Sequence, residues 1–305
     1  MDPASVPVLL AAVGVLALPF VRRAPFVLAV AIVNILIFLY GVGFWVLTGS
    51  FSIYSDLALR PDTAFGPRSY TLVTHMFLHA NLLHILGNTI FLVFFGMPLE
   101  ARIGPRRMAA IYLVSGVMAG VLDSLASIGI VGDVGVPRVG ASGAIFGIMG
   151  AFLALYPHQR ILMPFLVIIM EAPVWVGVLL YGGFETYLVL IQASDGIGHM
   201  AHVGGVVTGI IVAPLIAADV ARRKRIAVDD LEVLARTPRQ SELLDHIRGE
   251  DIPDIREAWL DEFVAMSCCP ECGASVYRSG DRIRCLRCDW HVTYQHRVRR
   301  RGLHR

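Results

Sequence analysis

Long apolar runs, separated by short polar segments, dominate the first 218 residues of this chain. An α-helix that crosses the hydrocarbon core of a bilayer needs about 20 mainly apolar residues. The runs therefore predict seven membrane-spanning helices, at 5–20, 25–48, 80–98, 107–129, 141–157, 172–192 and 197–218.

Two segments of this pattern need separate interpretation. The first run is not typical of a signal peptide, because Asp2 stands where a positive charge is expected and no small-residue cleavage site precedes Arg22 and Arg23. We interpret it as an additional N-terminal transmembrane helix. The apolar stretch 161–170 is short, and we expect it to lie at the membrane interface, although in an alternative frame the next span begins at residue 160.

The composition agrees with a membrane protein that carries a polar tail. Of the 305 residues, 56% are hydrophobic and 16% are charged, and the mean hydropathy is +0.65, far from the balance of a soluble domain. We predict an all-α polytopic membrane protein with an extra N-terminal helix (1–22), a six-helix core (23–218), a helical amphipathic linker (219–265) and a C-terminal module (266–305).

Basic residues predict the orientation, since lysine and arginine concentrate on the cytoplasmic side of a membrane protein. Ten fall on one side of the predicted spans: Arg22, Arg23, Arg102, Arg106, Arg107, Arg160, Arg222, Arg223, Lys224 and Arg225. Three fall on the other: Arg60, Arg68 and Arg138. We expect a multi-pass protein of the cell membrane with its N-terminus outside and its C-terminus in the cytoplasm.

Polar side chains fall within the apolar runs, where they are costly and usually functional. In HANLLHILGN (79–88), His84 and Asn88 are four residues apart and share one helical face. With the predicted topology, three groups of polar residues lie near the extracytoplasmic ends of their helices, so we expect them to meet. Their principal members are His79, His84, Asn88, Ser142 and His202.

Taken alone, such residues have structural explanations, because a serine in a span often bonds to its own helix. A polar cluster at one depth needs mutual partners or a water-filled cavity, so we favour a functional site. His202 is then the candidate base for a nucleophilic Ser142. Since no Asp or Glu accompanies these motifs at that depth, a Ser–His dyad is expected rather than a triad. The oxyanion donors would be Asn88, His84 and the Ser142 N–H.

Small residues predict how the serine and histidine helices could approach. Gly143 and Gly147 are four residues apart on one helix, and Gly205 and Gly209 on the other. Such pairs let two helix backbones pack closely. Phe146, one turn below the serine, is placed to stack on the ring of His202, although lipid-facing bulk is an alternative role.

Three motifs together resemble the rhomboid family of intramembrane serine proteases: GASG (140–143), HANLLHILGN (79–88) and AHVGG (201–205). The resemblance covers about residues 25–218. It implies a Ser142 nucleophile, a His202 general base and oxyanion stabilisation by His84, Asn88 and the Ser142 backbone. Gly140, Gly143, Phe146 and His79 are expected to support this site.

The resemblance also implies the reaction and its limits. Family members cut single-pass membrane proteins within or beside the transmembrane segment, and they need no metal or cofactor for cleavage. Glu100 and Gly104 match the family pattern, whereas Tyr70-Thr71 stand where many members have Trp-Arg. Glu185 has no motif support, and we expect it to make a helix–helix hydrogen bond or to help gate substrate entry.

Two other functions remain open. An inactive relative that binds membrane clients would lack the nucleophile or the base, and both are present here. A transporter lined by the histidines would be expected to show internal repeats with broken helices, which the sequence does not show.

The C-terminal module carries two CxxC pairs separated by twelve residues, with Cys268 as a spare thiol. Four thiolates so spaced are typical of a tetrahedral Zn²⁺ site in a zinc ribbon, and a redox-active pair is the disfavoured alternative. The four predicted ligands are Cys269, Cys272, Cys285 and Cys288.

The sequence around the ribbon gives few indications of what this part of the chain binds. In the segment 254–266, Ile255, Trp259, Phe263 and Met266 are spaced at helical intervals, which favours a helix packed on the ribbon over a partner-binding helix. A cytoplasmic protein is a candidate partner of the ribbon. The basic end could touch anionic lipid, but we favour a solubilising end and expect no nucleic-acid partner.

Overall fold

The fold was taken from a computed structural model that describes residues 1–22, 24–165, 168–191, 198–221, 228–250 and 252–294. The chain forms two compact units, 1–221 and 222–305. Arg23, the basic run 222–225 and the basic end at 296–305 lie outside the described residues.

The first unit is mainly helical, as its apolar runs predict. Its helices are α1 (Val6–Val21), α2 (Phe26–Thr48), α3 (Ser52–Leu57), α4 (Thr71–Thr74), α5 (Leu82–Phe91), α6 (Met97–Ile103), α7 (Pro105–Ala126), α8 (Ser142–Leu155), α9 (Val174–Leu190) and α10 (His199–Ala221). Short 3₁₀ turns cover Pro3–Ser5, Pro61–Thr63 and His75–Phe77, and π-helical segments cover Leu92–Gly96 and Ser127–Val131.

Five helical segments among the described residues are long and apolar enough to cross a membrane: Pro3–Val21, Phe26–Thr48, Leu82–Ile103, Pro105–Val131 and His199–Ala217. The other two predicted spans are the shorter apolar helices α8 and α9. With 14 residues, α8 is about 21 Å long, less than the ~30 Å hydrocarbon core. A multi-pass membrane protein follows, in which the serine helix is too short to reach both surfaces.

The apolar stretch 161–170 is not one uniform segment. It contributes to an antiparallel hairpin of β1 (Arg160–Phe165) and β2 (Ile168–Pro173). Pro164 lies inside the run and opposes helix formation, and α9 begins only after Pro173. The alternative frame that starts this span at residue 160 is therefore wrong.

Glu100, expected from the resemblance, links two spanning segments. Its Oε1 and Oε2 accept hydrogen bonds from the backbone N–H groups of Phe26 (2.6 Å) and Val27 (2.7 Å). These donors belong to the first turn of α2, where no partner exists within the helix. Gly104, four residues later, has a φ of 83° that permits the turn into α7.

The second unit combines helices and a small sheet. It contains a 3₁₀ helix at Asp229–Leu234, α11 (Pro238–Gly249), α12 (Pro253–Ala265) and strands β3 (Val276–Ser279), β4 (Arg282–Cys285) and β5 (His291–Thr293). The strands form an antiparallel sheet in the order β3-β4-β5. Pro238 and Pro253 are the first residues of α11 and α12, a position where proline is favoured.

The predicted packing of α12 on the ribbon is confirmed, but part of the predicted apolar stripe is wrong. Phe263 is fully buried, in one core with Leu260 and Ile283, whereas Ile255 and Met266 are exposed. The buried face of α12 is thus rotated toward residues that the stripe omitted, because the position of the sheet decides which face is covered.

Candidate active site

Ser142 begins α8, directly after a backbone segment that only glycine accommodates easily. Gly140 has a φ of 127°, and a Cβ built there would lie 2.6 Å from His84 Nε2. The Gly140 N–H donates to the carbonyl group of His75 at 2.9 Å. The glycine therefore lets the serine loop turn and lets His84 approach its backbone.

His202 reaches Ser142 from the first turns of α10. Its Nε2 lies 2.7 Å from Ser142 Oγ, a hydrogen-bond distance. The Phe146 ring stacks on the imidazole, with centroids 4.5 Å apart and planes 18° from parallel, as predicted. Since His202 is buried, both contacts fix its ring against the serine helix.

The glycines bring α8 and α10 into backbone contact, which confirms the predicted small-residue packing. A Cβ at Gly205 would lie 2.2 Å from the Gly143 carbonyl oxygen, and one at Gly209 would lie 1.9 Å from that of Gly147. These distances leave no room for a side chain. Ser142 and His202 can meet because the glycines at this contact carry only a hydrogen atom in place of a side chain.

The 79–88 motif lies beside the serine loop. Asn81 caps α5, its side chain accepting from His84 N–H at 2.9 Å. The rings of His79 and His84 meet edge to face, 5.2 Å apart. Asn88 is buried on the same helix, and its Nδ2 has no hydrogen-bond partner among the described residues, which leaves a donor for another molecule.

Arg138 holds the loop before Ser142, a role that the sequence did not indicate beyond its charge. Its Nε donates to Asp123 Oδ2 at 3.0 Å and its Nη2 to Ser127 Oγ at 3.3 Å, both on the spanning segment Pro105–Val131, and it also pairs with Asp133. Burial opposes ionisation of Asp133, but the Arg138 guanidinium outweighs it and lowers the pKa of that carboxyl. The backbone of Arg138 pairs with that of Leu59 in both directions.

The prediction that no acidic residue accompanies the site is wrong. Glu185 of α9 places Oε2 at 2.9 Å from Nδ1 of His202 and at 2.5 Å from Nδ1 of His199. The expected helix–helix hydrogen bond of Glu185 is thus present, to His199. No local motif could reveal this, because the carboxylate comes from a separate helix whose neighbours only the fold defines.

These side chains face one cavity of about 730 Å³, a volume typical of ligand sites. Its lining includes His84, Asn88, Ser142, Tyr181, Glu185 and His202. His79 is absent from that lining and lies behind His84. All the other predicted site residues of the first unit line the cavity, whereas His79 contacts it only through the ring of His84.

The loop that precedes the motif is anchored without the Trp-Arg pair. Tyr70 Oη donates to the Asp56 carbonyl group at 3.0 Å, and Thr71 Oγ1 donates to that of Arg68 at 2.6 Å. Arg68 itself donates to the Asp56 carbonyl group at 2.8 Å. Tyr70, Thr71 and Arg68 therefore anchor this loop through hydrogen bonds to backbone carbonyl groups.

The second unit contains the predicted cysteine cluster. The Sγ atoms of Cys269, Cys272, Cys285 and Cys288 all lie within 4.8 Å of one another. Tetrahedral Zn–S bonds of 2.3 Å would separate neighbouring sulfurs by about 3.8 Å; the observed pairs Cys269–Cys288 and Cys272–Cys285 are 3.6 and 3.3 Å apart. Cys268 is exposed and outside the cluster. The four thiols are therefore compatible with a structural metal site.

Comparison with known proteins agrees with the three motifs. A profile of the Rhomboid domain matches residues 67–219. "Rhomboid-related protein 1" of Caenorhabditis elegans is 28% identical over 65% of this chain and 57% of its own length. "RHOMBOID-like protein 4" of Arabidopsis thaliana is 28% identical over 48% and 34%, and "Rhomboid protein 1, mitochondrial" of Saccharomyces cerevisiae is 29% identical over 51% and 44%.

The chain thus spans between about a third and three fifths of the length of these relatives. The matched region contains all three motifs, the whole of α5 and α8, and α10 as far as residue 219, whereas residues 1–66 lie outside it. Because the Rhomboid profile matches half of the chain, the chain belongs to the rhomboid family.

Proposed function

We propose that this chain is an intramembrane serine endopeptidase that hydrolyses peptide bonds in or next to transmembrane segments of single-pass membrane proteins. The observation that carries the proposal is the 2.7 Å contact between Ser142 Oγ and His202 Nε2 inside a cavity of the membrane unit. A serine becomes a nucleophile when an adjacent base takes its proton, and this contact provides the path for that proton.

The first half of the reaction forms an acyl-enzyme. Ser142 Oγ attacks the scissile carbonyl carbon while its proton passes to His202 Nε2, and the carbonyl electron pair moves onto oxygen. The tetrahedral intermediate then expels the amine, which takes the proton from Nε2 as the C–N bond breaks. A water molecule repeats the sequence in the second half, and the acid product and Ser142 are released.

The developing oxyanion needs donors that are already in place. Asn88 Nδ2, which has no partner in the part of the chain that the structure describes, provides one. The Ser142 N–H at the start of α8 and the His84 ring beside Gly140 complete the set. Preorganised donors of this kind each contribute about 10²–10³-fold to the rate.

The distribution of basic residues along the chain supports a location and an orientation in the membrane. We propose that substrates enter from the bilayer, that the protein resides in the cell membrane, and that its second unit is cytoplasmic, as the ten-to-three distribution of basic residues favours. An inactive client-binding relative is the alternative function.

For the second unit we propose a structural Zn²⁺ held by Cys269, Cys272, Cys285 and Cys288. The supporting observation is the close approach of four sulfur atoms, together with backbone N–H groups of Arg287 and Cys288 that donate to Cys285 Sγ at 3.2 and 3.4 Å. The bound ion would stabilise the fold of this small module.

The test is cleavage of a single-pass substrate in reconstituted vesicles by the wild-type protein, Ser142→Ala and His202→Ala. Ser124→Ala is the matched control, because this buried hydroxyl has no hydrogen-bond partner among the described residues. We expect product from the wild type and the control only. Folded wild-type protein that cleaves none of several substrates would support client binding instead, and equal product from Ser142→Ala would remove the serine from catalysis.

A further inference from the structure

Glu185 is the one charged side chain of the described helix α9, and it is largely enclosed. Its side chain is 14% exposed, and those of His199 and His202 are 5% and 10% exposed. A carboxylate in such surroundings is expensive unless it is paired. Two histidine rings, both from α10, provide the pairing.

The contacts are arranged around one oxygen atom. Oε2 of Glu185 lies 2.5 Å from His199 Nδ1, a hydrogen bond, and 2.9 Å from His202 Nδ1. A carboxylate oxygen has two lone-pair sites and can accept from both rings. The contact to His202 is close but falls outside hydrogen-bond geometry, since that buried Nδ1 has no hydrogen-bond partner among the described residues. Catalytic hydrogen bonds are often poorly aligned until substrate is bound.

Opposite sides of the same imidazole therefore face the serine and the carboxylate. Nε2 of His202 is 2.7 Å from Ser142 Oγ, and Nδ1 is 2.9 Å from Glu185 Oε2. A neutral histidine carries one ring proton, and only the Nδ1-protonated form leaves Nε2 free to accept from Ser142. A negative oxygen beside Nδ1 favours that form.

We infer that Glu185 is a positioning residue that acts through His202, so that the site works as a Ser142–His202–Glu185 triad and not as a bare dyad. The inference rests on the proposed function. Glu185 holds the ring proton on Nδ1 while Nε2 takes the Ser142 proton, and its charge stabilises the imidazolium until Nε2 returns that proton to the leaving amine. The carboxylate stays ionised throughout.

A metal ion held by Glu185, His199 and His202 is the competing explanation, because the three ligand atoms lie within 4.8 Å of one another. Around a first-row metal with bonds of about 2.0–2.1 Å, tetrahedral ligand atoms lie about 3.3 Å apart. The observed separations of 2.5 and 2.9 Å are shorter than that spacing, and the shorter one, to His199, is a hydrogen bond. A role confined to substrate entry is the other explanation, and it would change KM without changing the chemical step.

The test uses the full chain in vesicles and measures kcat and KM for a transmembrane substrate. It also measures the rate at which a fluorophosphonate probe labels Ser142, which reports activation of the serine without substrate entry through the membrane. The variants are Glu185→Gln, Glu185→Asp and Glu185→Ala, the last with and without added formate. Glu171→Gln is the matched control, because this glutamate is exposed on β2 and pairs with Arg160.

In Glu185→Gln we expect kcat to fall by about 10²-fold or more with little change in KM, and labelling to fall in parallel. The amide is uncharged and can present its NH₂ group to Nδ1, which drives the ring proton to Nε2. We expect Glu185→Asp to recover part of kcat, formate to restore activity to Glu185→Ala, and Glu171→Gln to behave as wild type.

Other outcomes overturn the inference. Unchanged kcat and labelling in folded Glu185→Gln would leave a dyad, and a rise in KM alone would limit Glu185 to substrate entry. If Glu185→Gln does not fold, a failure of formate to restore activity to folded Glu185→Ala refutes the triad. Loss of one equivalent of bound zinc in Glu185→Gln relative to wild type would establish a metal centre. Wild-type protein with neither cleavage nor labelling would instead refute the proposed function, and the inference with it.

Discussion

Replacing Gly205 with alanine would place a methyl group between two helix backbones that touch at this point. The new Cβ would lie 2.2 Å from the Gly143 carbonyl oxygen, whereas a relaxed C···O contact is about 3.3 Å or longer. The helices α8 and α10 must therefore separate locally by about 1 Å. Since His202 is three residues from Gly205, its 2.7 Å contact with Ser142 would lengthen to about 3.7 Å, beyond hydrogen-bond range.

The expected result is a loss of activity from a residue with no chemical role. A displacement of about 1 Å at a reacting group can cost about 10²-fold in rate, and overpacking of this kind costs about 1–3 kcal/mol in stability. The assay is the vesicle cleavage rate, measured with thermal unfolding of the same samples. Gly43→Ala is the control, because a Cβ there, in the spanning helix α2, meets nothing within 4 Å. Cleavage and stability of Gly205→Ala equal to those of the control would refute the view that backbone contact sets the Ser–His geometry.

Three further predictions concern single contacts. Asn88→Ala should lower kcat by about 10²–10³-fold if Nδ2 is an oxyanion donor, and unchanged kinetics would remove it from that role. Cys272→Ser combined with Cys285→Ser should eliminate the one zinc per chain that elemental analysis would detect in the wild type, and retained zinc would contradict the four-thiolate site. Glu100→Ala should lower the thermal stability by about 0.5–2 kcal/mol, since it leaves the Phe26 N–H without its acceptor; an unchanged melting temperature would show that water replaces this cap.

Local patterns were sufficient for the main features of the chain. Apolar runs located the spanning helices, since the thickness of the bilayer sets the number of consecutive apolar residues that a spanning helix needs. The histidine, asparagine and serine motifs identified the groups that meet in the cavity, because polar side chains in membrane-spanning helices are energetically costly and usually functional. Two CxxC pairs predicted a cluster that brings the four sulfur atoms together.

Other features required knowledge of how distant segments pack. The hairpin at 160–173 depends on antiparallel pairing, such as Leu162 opposite Glu171, and a short apolar run does not distinguish strand from helix. Arg138 was visible only as a charge, and its contact with Asp123 arises because the loop folds back on α7.

The sequence by itself therefore determined the serine, histidine and asparagine candidates for chemistry and the segments apolar enough to enter the membrane, because composition and spacing act locally. Tertiary structure alone decided that Glu185 stands beside His202. Its helix and the histidine helix have no common motif, and the 2.9 Å contact depends on their relative rotation. Packing of whole helix faces sets that rotation, and no single stretch of sequence contains it.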